Sequence, residues 1–341
     1  MDSAPDRWGR KLMQRREAIR ARKAVEKPNV LTESDYLLGV YDKTRMGALR
    51  FKTVLDGSFL NDDHAMAAPP WTQLRELEEA CRHFETDGGE TEHEKWISML
   101  IAPGSSLGGA RPKASVSDLN GDLWIAKFPS HNDSSNTSAW EYATMLMAHD
   151  VGLNVPEYRL EKFSRFGSTF LVKRFDRNGT QRIHFASAMT LLGKTDGIDA
   201  QNGGSYLELA EFIMRYGAKP TEDLRELWTR IVFSIAVSNT DDHLRNHGFL
   251  LTDSGWILSP AYDLNPNPHG CGLSLNITDS DNSLDFSLAM EVAPLFRMEI
   301  HEAATVLKKV RSVVSAWRNY ADHVGISHGE QEEMRLAFRA E

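Results

Sequence analysis

The chain changes character at Asp176, and a fold built of one kind of element does not accommodate the change. Upstream lie short strand-like runs: Ala114–Asp118, an Asn120-Gly121 hairpin signal, Leu123–Phe128, then Tyr158–Phe163 and Thr169–Phe175 around Gly167. A helical stretch, Trp140–His149, ended by Gly152 and Pro156, interrupts them. Downstream, helical periodicity dominates 204–216, 221–238 and 286–338. Strands first and helices later predict an α+β fold, a small antiparallel sheet followed by a mostly helical part.

The first hundred residues read as a separate piece. Residues 5–25 form a basic amphipathic helix that ends before Pro28. Leu37–Tyr41 and Ala48–Phe51 suggest short extended pieces around a turn at Asp42–Gly47. Ala68-Pro69-Pro70 opens a helix over 71–85, with Leu74, Leu77, Ala80 and Cys81 at helical spacing, and a second helix is expected over 93–101. The predicted organisation is 1–100, 101–176 and 177–341.

Composition narrows the setting. Hydrophobic residues at 41% and charged residues at 26% are an ordinary globular balance. No apolar run reaches the length of a membrane span, and the first residues lack the apolar core of a secretory signal. Cys81 and Cys271 are too few for a disulfide framework or a zinc site, which points to a reducing cytoplasm. A net charge of −9 argues against a nucleic-acid surface over the whole molecule. Arg7, Arg10, Lys11, Arg15, Arg16, Arg20, Arg22 and Lys23 nonetheless concentrate on one helix. That is a solvated face, or a docking surface for an acidic partner or for DNA held by one.

The chemistry concentrates in 239–285, a stretch rich in Asn, Asp, Pro and Gly between helical segments. Such a stretch inside a compact domain points to function. It opens with Asn239-Thr240-Asp241-Asp242-His243-Leu244-Arg245-Asn246, directly after an apolar helix. Phosphoryl transfer needs a carboxylate to orient the attacking hydroxyl and an oxygen to hold magnesium, and kinase loops supply both as D-x-x-x-x-N. Asp241 and Asn246 fit that spacing, although loop Asp and Asn also cap turns. Asp263, after the short run Leu258–Tyr262, supplies a second carboxylate for the metal. His243 contacts phosphate or hydrogen-bonds the loop; both remain open.

Two upstream elements complete the pattern. The turn Gly104–Lys113 exposes backbone amides at Gly108 and Gly109, either to cradle phosphate or as a plain hairpin turn, with Lys113 placed to follow it. It matches neither G-x-x-x-x-G-K-[ST] nor G-x-G-x-x-G. Lys127 ends an apolar strand run, where kinases keep a phosphate-binding lysine, and Glu141 on the next helix is its candidate ion-pair partner. A solvent-facing lysine and a surface glutamate are the alternatives. Trp228, Phe233 and Trp317 sit at helical spacing among aliphatics and read as core.

Taken in order, these segments resemble the HipA-like serine/threonine kinase toxins, over most of the chain. The resemblance includes Leu38–Phe51, similar to part of the family's N-terminal subdomain. It implies a two-lobed protein-kinase-like fold and ATP-dependent transfer to protein serine or threonine. It implies Asp241 as the catalytic residue, Asn246 and Asp263 on Mg²⁺, and Lys127 on the phosphates. Lys173 and Phe175 would offer backbone groups to adenine, with Asp176 near the ribose. Ser106, or the neighbouring Ser105, would be autophosphorylated, switching the enzyme off. The implied partners are an aminoacyl-tRNA synthetase as substrate and a small helix-turn-helix antitoxin, through which the chain would reach DNA indirectly.

Two departures stand out. Arg111 occupies a position where the family usually has Gln. The first β-rich subdomain is not seen, which suggests truncation or a separate small protein in its place. Two other classes fit part of the pattern. Aminoglycoside-type small-molecule phosphotransferases share D-x-H-x-x-N and a metal Asp. A pseudokinase binding module in an antitoxin–DNA complex would need no chemistry, though the intact Asp, Asn, Asp and Lys set argues against it.

Overall fold

The computed structural model describes residues 2–62, 68–86, 100 and 111–340. The chain divides into two compact units, Met1–Ser138 with Glu157–Phe185, and Ala139–Pro156 with Ala186–Glu341.

The first unit is built round a four-stranded antiparallel sheet. Its strands are β1 (Lys113–Ser117), β2 (Leu123–Lys127), β3 (Tyr158–Glu161) and β4 (Thr169–Lys173), in the order β1-β2-β4-β3. Trp124 and Ala126 of β2 alternate inward, so one face is buried while Leu123, Ile125 and Lys127 are only partly covered. The turn between β1 and β2 is set by Asp118. Its carboxylate accepts from the Asn120 and Asp122 amides, both at 2.9 Å, and from Trp124 Nε1 at 3.1 Å. Gly121 supplies the φ of +84° that the turn requires.

Helices α1 (Arg7–Ala24) and α3 (Leu74–Thr86) cover that buried face; α2 (Glu33–Leu38) lies between them in sequence. Trp8, Leu12, Leu74, Leu77 and Cys81 form one core with Val116, Trp124 and Leu171. Asp6 caps α1 by accepting from Gly9 N at 2.6 Å. The structure corrects one local expectation: Leu37 and Leu38 end a helix rather than an extended piece. Thr32 and Asp35 form a capping box that outweighs the local aliphatic run. Of the helix expected over 93–101, only Leu100 is described, and it is helical. A short hairpin, β5 (Arg177–Asn178) with β6 (Gln181–Arg182), follows β4.

The second unit is mainly helical, with α4 (Thr137–Val151), α5 (Ala188–Leu191), α6 (Tyr206–Tyr216), α7 (Pro220–Ala236), α8 (Phe286–Val292), α9 (Ile300–Ser315), α10 (Trp317–Val324) and α11 (His328–Met334). A three-stranded sheet of β7 (Phe185–Ser187), β8 (Gly248–Thr252) and β9 (Gly255–Leu258) interrupts the helices. Helix α7 is buried almost continuously from Leu227 to Ala236, so it is the unit's central rod. Trp228 and Phe233 are fully buried and Trp317 stacks on Phe338 at 4.4 Å, as core residues do. Among the described residues no helix is long and apolar enough to cross a membrane.

Candidate active site

The site in the second unit begins where α7 ends. The rod stops at Ala236, and Ser238 turns the chain with a φ of +48°, a left-handed value unusual for a residue with a Cβ. Asn239 N still bonds back to Ser234 O at 2.8 Å, so the loop springs from the helix with fixed direction. The Asp241 carbonyl then accepts from two donors, His243 N at 2.9 Å and Asn246 Nδ2 at 2.9 Å. That closes the D-x-x-x-x-N spacing into a ring. It also uses the amide nitrogen of Asn246, so its carbonyl oxygen is the atom suited to a cation.

A second segment is stitched to this loop. Asp263 has a φ of +60°, again left-handed, and Asn265 Nδ2 donates to its Oδ1 at 3.3 Å. Asn265 N bonds Asn239 Oδ1 at 3.2 Å, and Asn267 Nδ2 reaches Thr240 Oγ1 at 2.8 Å. Ser274 Oγ donates to the Thr240 carbonyl at 2.8 Å and Tyr262 OH to the Arg245 carbonyl at 2.7 Å. Burial pushes the Asp241 carboxyl above the usual range; His243 opposes the rise, while the charges of Asp263 and Asp242 add to it. Asp241 and Asp263 therefore lie within electrostatic reach of each other, and Asn246 is tied to Asp241 by its amide.

Asp242, next in sequence, is 3% exposed. Burial would raise its carboxyl, but the His247 charge and the hydrogen bond from Tyr206 outweigh that and hold it below the ordinary range. Tyr206 OH lies 2.7 Å from its Oδ2 and His247 Nε2 lies 3.1 Å from its Oδ1.

A family model, HipA-like C-terminal domain, matches residues 105–317, more than half of the chain. The chain belongs to the HipA-like family. A serine/threonine-protein kinase toxin HipA of Shewanella oneidensis is 27% identical over 227 residues, 57% of this chain and 50% of that protein. A candidate kinase of Haemophilus influenzae is 31% identical over 179 residues, 47% of this chain and 52% of that protein. The chain spans about half the length of the curated relatives it matches. Among solved structures, a chain of the Shewanella oneidensis MR-1 complex of HipA, HipB and operator DNA superposes with a TM-score of 0.65 at 18% identity, covering 94% of this chain and 80% of that one. This likeness shows a shared fold, the kinase-like mixture of antiparallel sheet and helices.

Several residues of the HipA-like pattern occupy the first unit, and the structure sorts them. Lys127 pairs with Phe170 across β2 and β4, its Nζ 5.9 Å from the Phe170 ring centre. Lys113, expected to follow the glycine turn, is instead buried, with Nζ 3.3 Å from Asp6 Oδ2; it anchors β1 to the start of α1. Arg111 forms a bidentate pair with Asp133 at 2.7 and 2.5 Å. The Lys173 side chain is drawn to Asp122 at 2.6 Å. Phe175 stands 6.0 Å from Phe185. Asp176 is 1% exposed, enclosed by Arg174, Arg177 and the Gly47 amide, so its carboxylate is turned away from the ribose role expected of it. In the second unit, Glu141 is buried on α4, which removes the surface-glutamate reading. Ser105, Ser106, Gly108 and Gly109 lie outside the described residues.

The donor chemistry suits magnesium. Asp263 and Asn246 offer hard oxygens, and Asn265, whose amide nitrogen meets Asp263, keeps a buried Oδ1 without a hydrogen-bond partner. Among the described residues no group of three or more His, Cys, Asp or Glu is placed to hold a metal ion by itself. A magnesium ion that completes its shell with phosphate and water needs no such cluster. Sequence reasoning missed Tyr206, Asp242 and His247. Asp242 beside Asp241 was the available signal, but Tyr206 lies 36 residues away and nothing local marks it.

Proposed function

We propose that the chain is an ATP-dependent protein serine/threonine kinase of the toxin type, working in the cytoplasm. The observation that carries this reading is the ring closed between Asp241 and Asn246, with Asp263 in the same electrostatic neighbourhood. The name of the Shewanella relative and the shared fold support it.

In the proposed reaction Asp241 accepts the proton of a substrate hydroxyl as that oxygen bonds the γ-phosphorus of ATP. The bond from the γ-phosphorus to the bridging oxygen breaks, and ADP leaves with that electron pair. Asn246 and Asp263 would hold Mg²⁺, which neutralises charge on the phosphates when bound. Lys127 would meet the phosphates, His243 would offer a ring nitrogen, and the backbone of Lys173 and Phe175 would frame the adenine.

The test is direct. With labelled ATP and cell extract, Asp241→Ala should lose about 10²–10⁴ in phosphate incorporation. Wild-type rates in that variant would overturn the assignment. The labelled band identifies the substrate, for which we propose an aminoacyl-tRNA synthetase. Label on Ser106 or Ser105 of the chain itself would support self-inhibition; label on a small molecule alone would favour an aminoglycoside-type enzyme. A helix-turn-helix antitoxin that carries the chain to DNA, and a separate small protein docking at the N-terminal piece, are the proposed partners.

A further inference from the structure

One carboxylate, beside the proposed proton acceptor but not part of its chemistry, gathers three elements of the second unit. Asp242 Oδ2 accepts from Tyr206 OH, on the first turn of α6, at 2.7 Å. It also takes Ser234 Oγ, on the last turn of α7, at 3.3 Å. Its other oxygen meets Nε2 of His247, the residue before β8, at 3.1 Å. Tyr206 and His247 meet edge to face, ring centres 5.6 Å apart at 90°. All four side chains are essentially out of solvent: Tyr206 at 0%, Ser234 at 1%, His247 at 2% and Asp242 at 3% exposure.

This is a costly way to fill a core. A buried carboxylate gives up its hydration, and an apolar cluster of the same volume commonly stabilises a fold as well or better. What a carboxylate provides, and an apolar group does not, is directional contacts that fix its position relative to several elements at once. Here it fixes the residue bonded to Asp241. Backbone geometry carries that constraint one residue on, because the Asp241 carbonyl is itself held by His243 N and Asn246 Nδ2.

We propose that Asp242, with Tyr206 and His247 as its clamps, is a positioning residue that holds Asp241 in line for transfer and acts on turnover rather than on nucleotide affinity. This rests on the reading of Asp241 as proton acceptor. A displacement of about 1 Å at a reacting group costs on the order of 10²-fold in rate, which sets the expected scale.

The experiment uses the full chain, with MgADP as the binding probe and labelled phosphate transfer from saturating ATP as the rate. Asp242→Asn, which keeps shape and removes the charge, should lower transfer by about 10²-fold. Tyr206→Phe removes a single hydroxyl from an otherwise intact ring and should lower it by about tenfold, the scale of one hydrogen bond to a charged group. In both, the calorimetric MgADP affinity should stay within about twofold of wild type, because these side chains bear on proton transfer and not on binding. If Asp242→Asn fails to fold, Tyr206→Phe decides. Unchanged transfer in Tyr206→Phe, or rate and MgADP stoichiometry falling in parallel, would reduce the network to a packing role and overturn the proposal. A wild-type chain that transfers no phosphate removes the kinase reading itself, and this one with it.

Discussion

Asp176 and Asp241 read alike in the sequence and stand in opposite surroundings in the structure. Asp176 is saturated. Arg174 donates to its two oxygens at 2.9 and 2.6 Å, Arg177 at 2.6 Å and the Gly47 amide at 2.7 Å. The same arginines spend their remaining donors on the Thr44, Arg45 and Lys43 carbonyls. Round Asp241 the polar groups are under-satisfied: His243 Nδ1, Asn239 Nδ2 and Asn265 Oδ1 are buried without partners, and both Ser238 and Asp263 are left-handed. Unpaired buried polar atoms and strained backbone destabilise a fold, so they persist where a ligand or a reaction uses them. A saturated carboxylate is a clasp; the unsaturated loop is where we propose the site.

The largest expected effect tests the clasp. Asp176→Asn should destabilise the chain by about 3–5 kcal/mol in chemical denaturation, because it strands two buried guanidinium groups. The sign of its pH dependence follows from the depressed Asp176 carboxyl: burial opposes ionisation, but Arg174, Arg177 and the Gly47 amide prevail. A carboxyl lowered in the folded state contributes stability that is complete above its unfolded value, about 3.9. That contribution is lost as pH falls through the folded value. The gap between wild type and Asp176→Asn should thus be flat above about pH 5 and shrink in acid. A gap that widens in acid would mean the clasp is not ionic.

The skeleton of the proposed site was legible because phosphoryl transfer would impose local spacing. Asp241, Asn246 and Asp263 lie within one stretch, and their residue types suit the chemistry we propose. The strands were legible for a similar reason: Trp124 and Ala126 alternate along β2, and Asn120-Gly121 marks its turn. What stayed hidden depends on long-range partners. Lys113 looked like a phosphate cation until Asp6, far upstream, claimed it. Asp176 looked like a ribose ligand until Gly47, 129 residues away, met it. Leu38 looked extended because aliphatic runs suit strands, whereas a capping box at Thr32 decided for helix.

A smaller perturbation separates the backbone of the clasp from its charges. Gly47 has a φ of +72°, and a Cβ there would stand 3.0 Å from Phe185 N. Gly47→Ala should cost about 1–2 kcal/mol from the left-handed backbone alone, with more if Phe185 does not yield. Phosphate transfer per folded molecule should be unchanged, since Gly47 and Phe185 belong to the first unit and the loop round Asp241 to the second. If thermal stability held while transfer fell, the clasp would belong to the site after all, and the contrast between the two aspartates would dissolve.

The smallest expected effect on stability is at Asn265. Its Oδ1 is buried without a partner, while its Nδ2 holds Asp263 through a long contact of 3.3 Å. Removing an unsatisfied oxygen relieves a desolvation cost of about 1–3 kcal/mol, and losing the contact to Asp263 forfeits about 1 kcal/mol or more. The two largely offset, so Asn265→Ala should melt within a few degrees of wild type. Asp263 would nonetheless lose a contact that orients it, and magnesium-dependent nucleotide binding should weaken by about tenfold, the effect typical of a lost partner behind a metal ligand. Calorimetry with ADP, with and without magnesium, isolates the change: the magnesium-free affinity should not move. An Asn265→Ala chain that binds MgADP as wild type does would mean that the unsatisfied oxygen marks no metal site, and that under-satisfaction is not, in this loop, a sign of function.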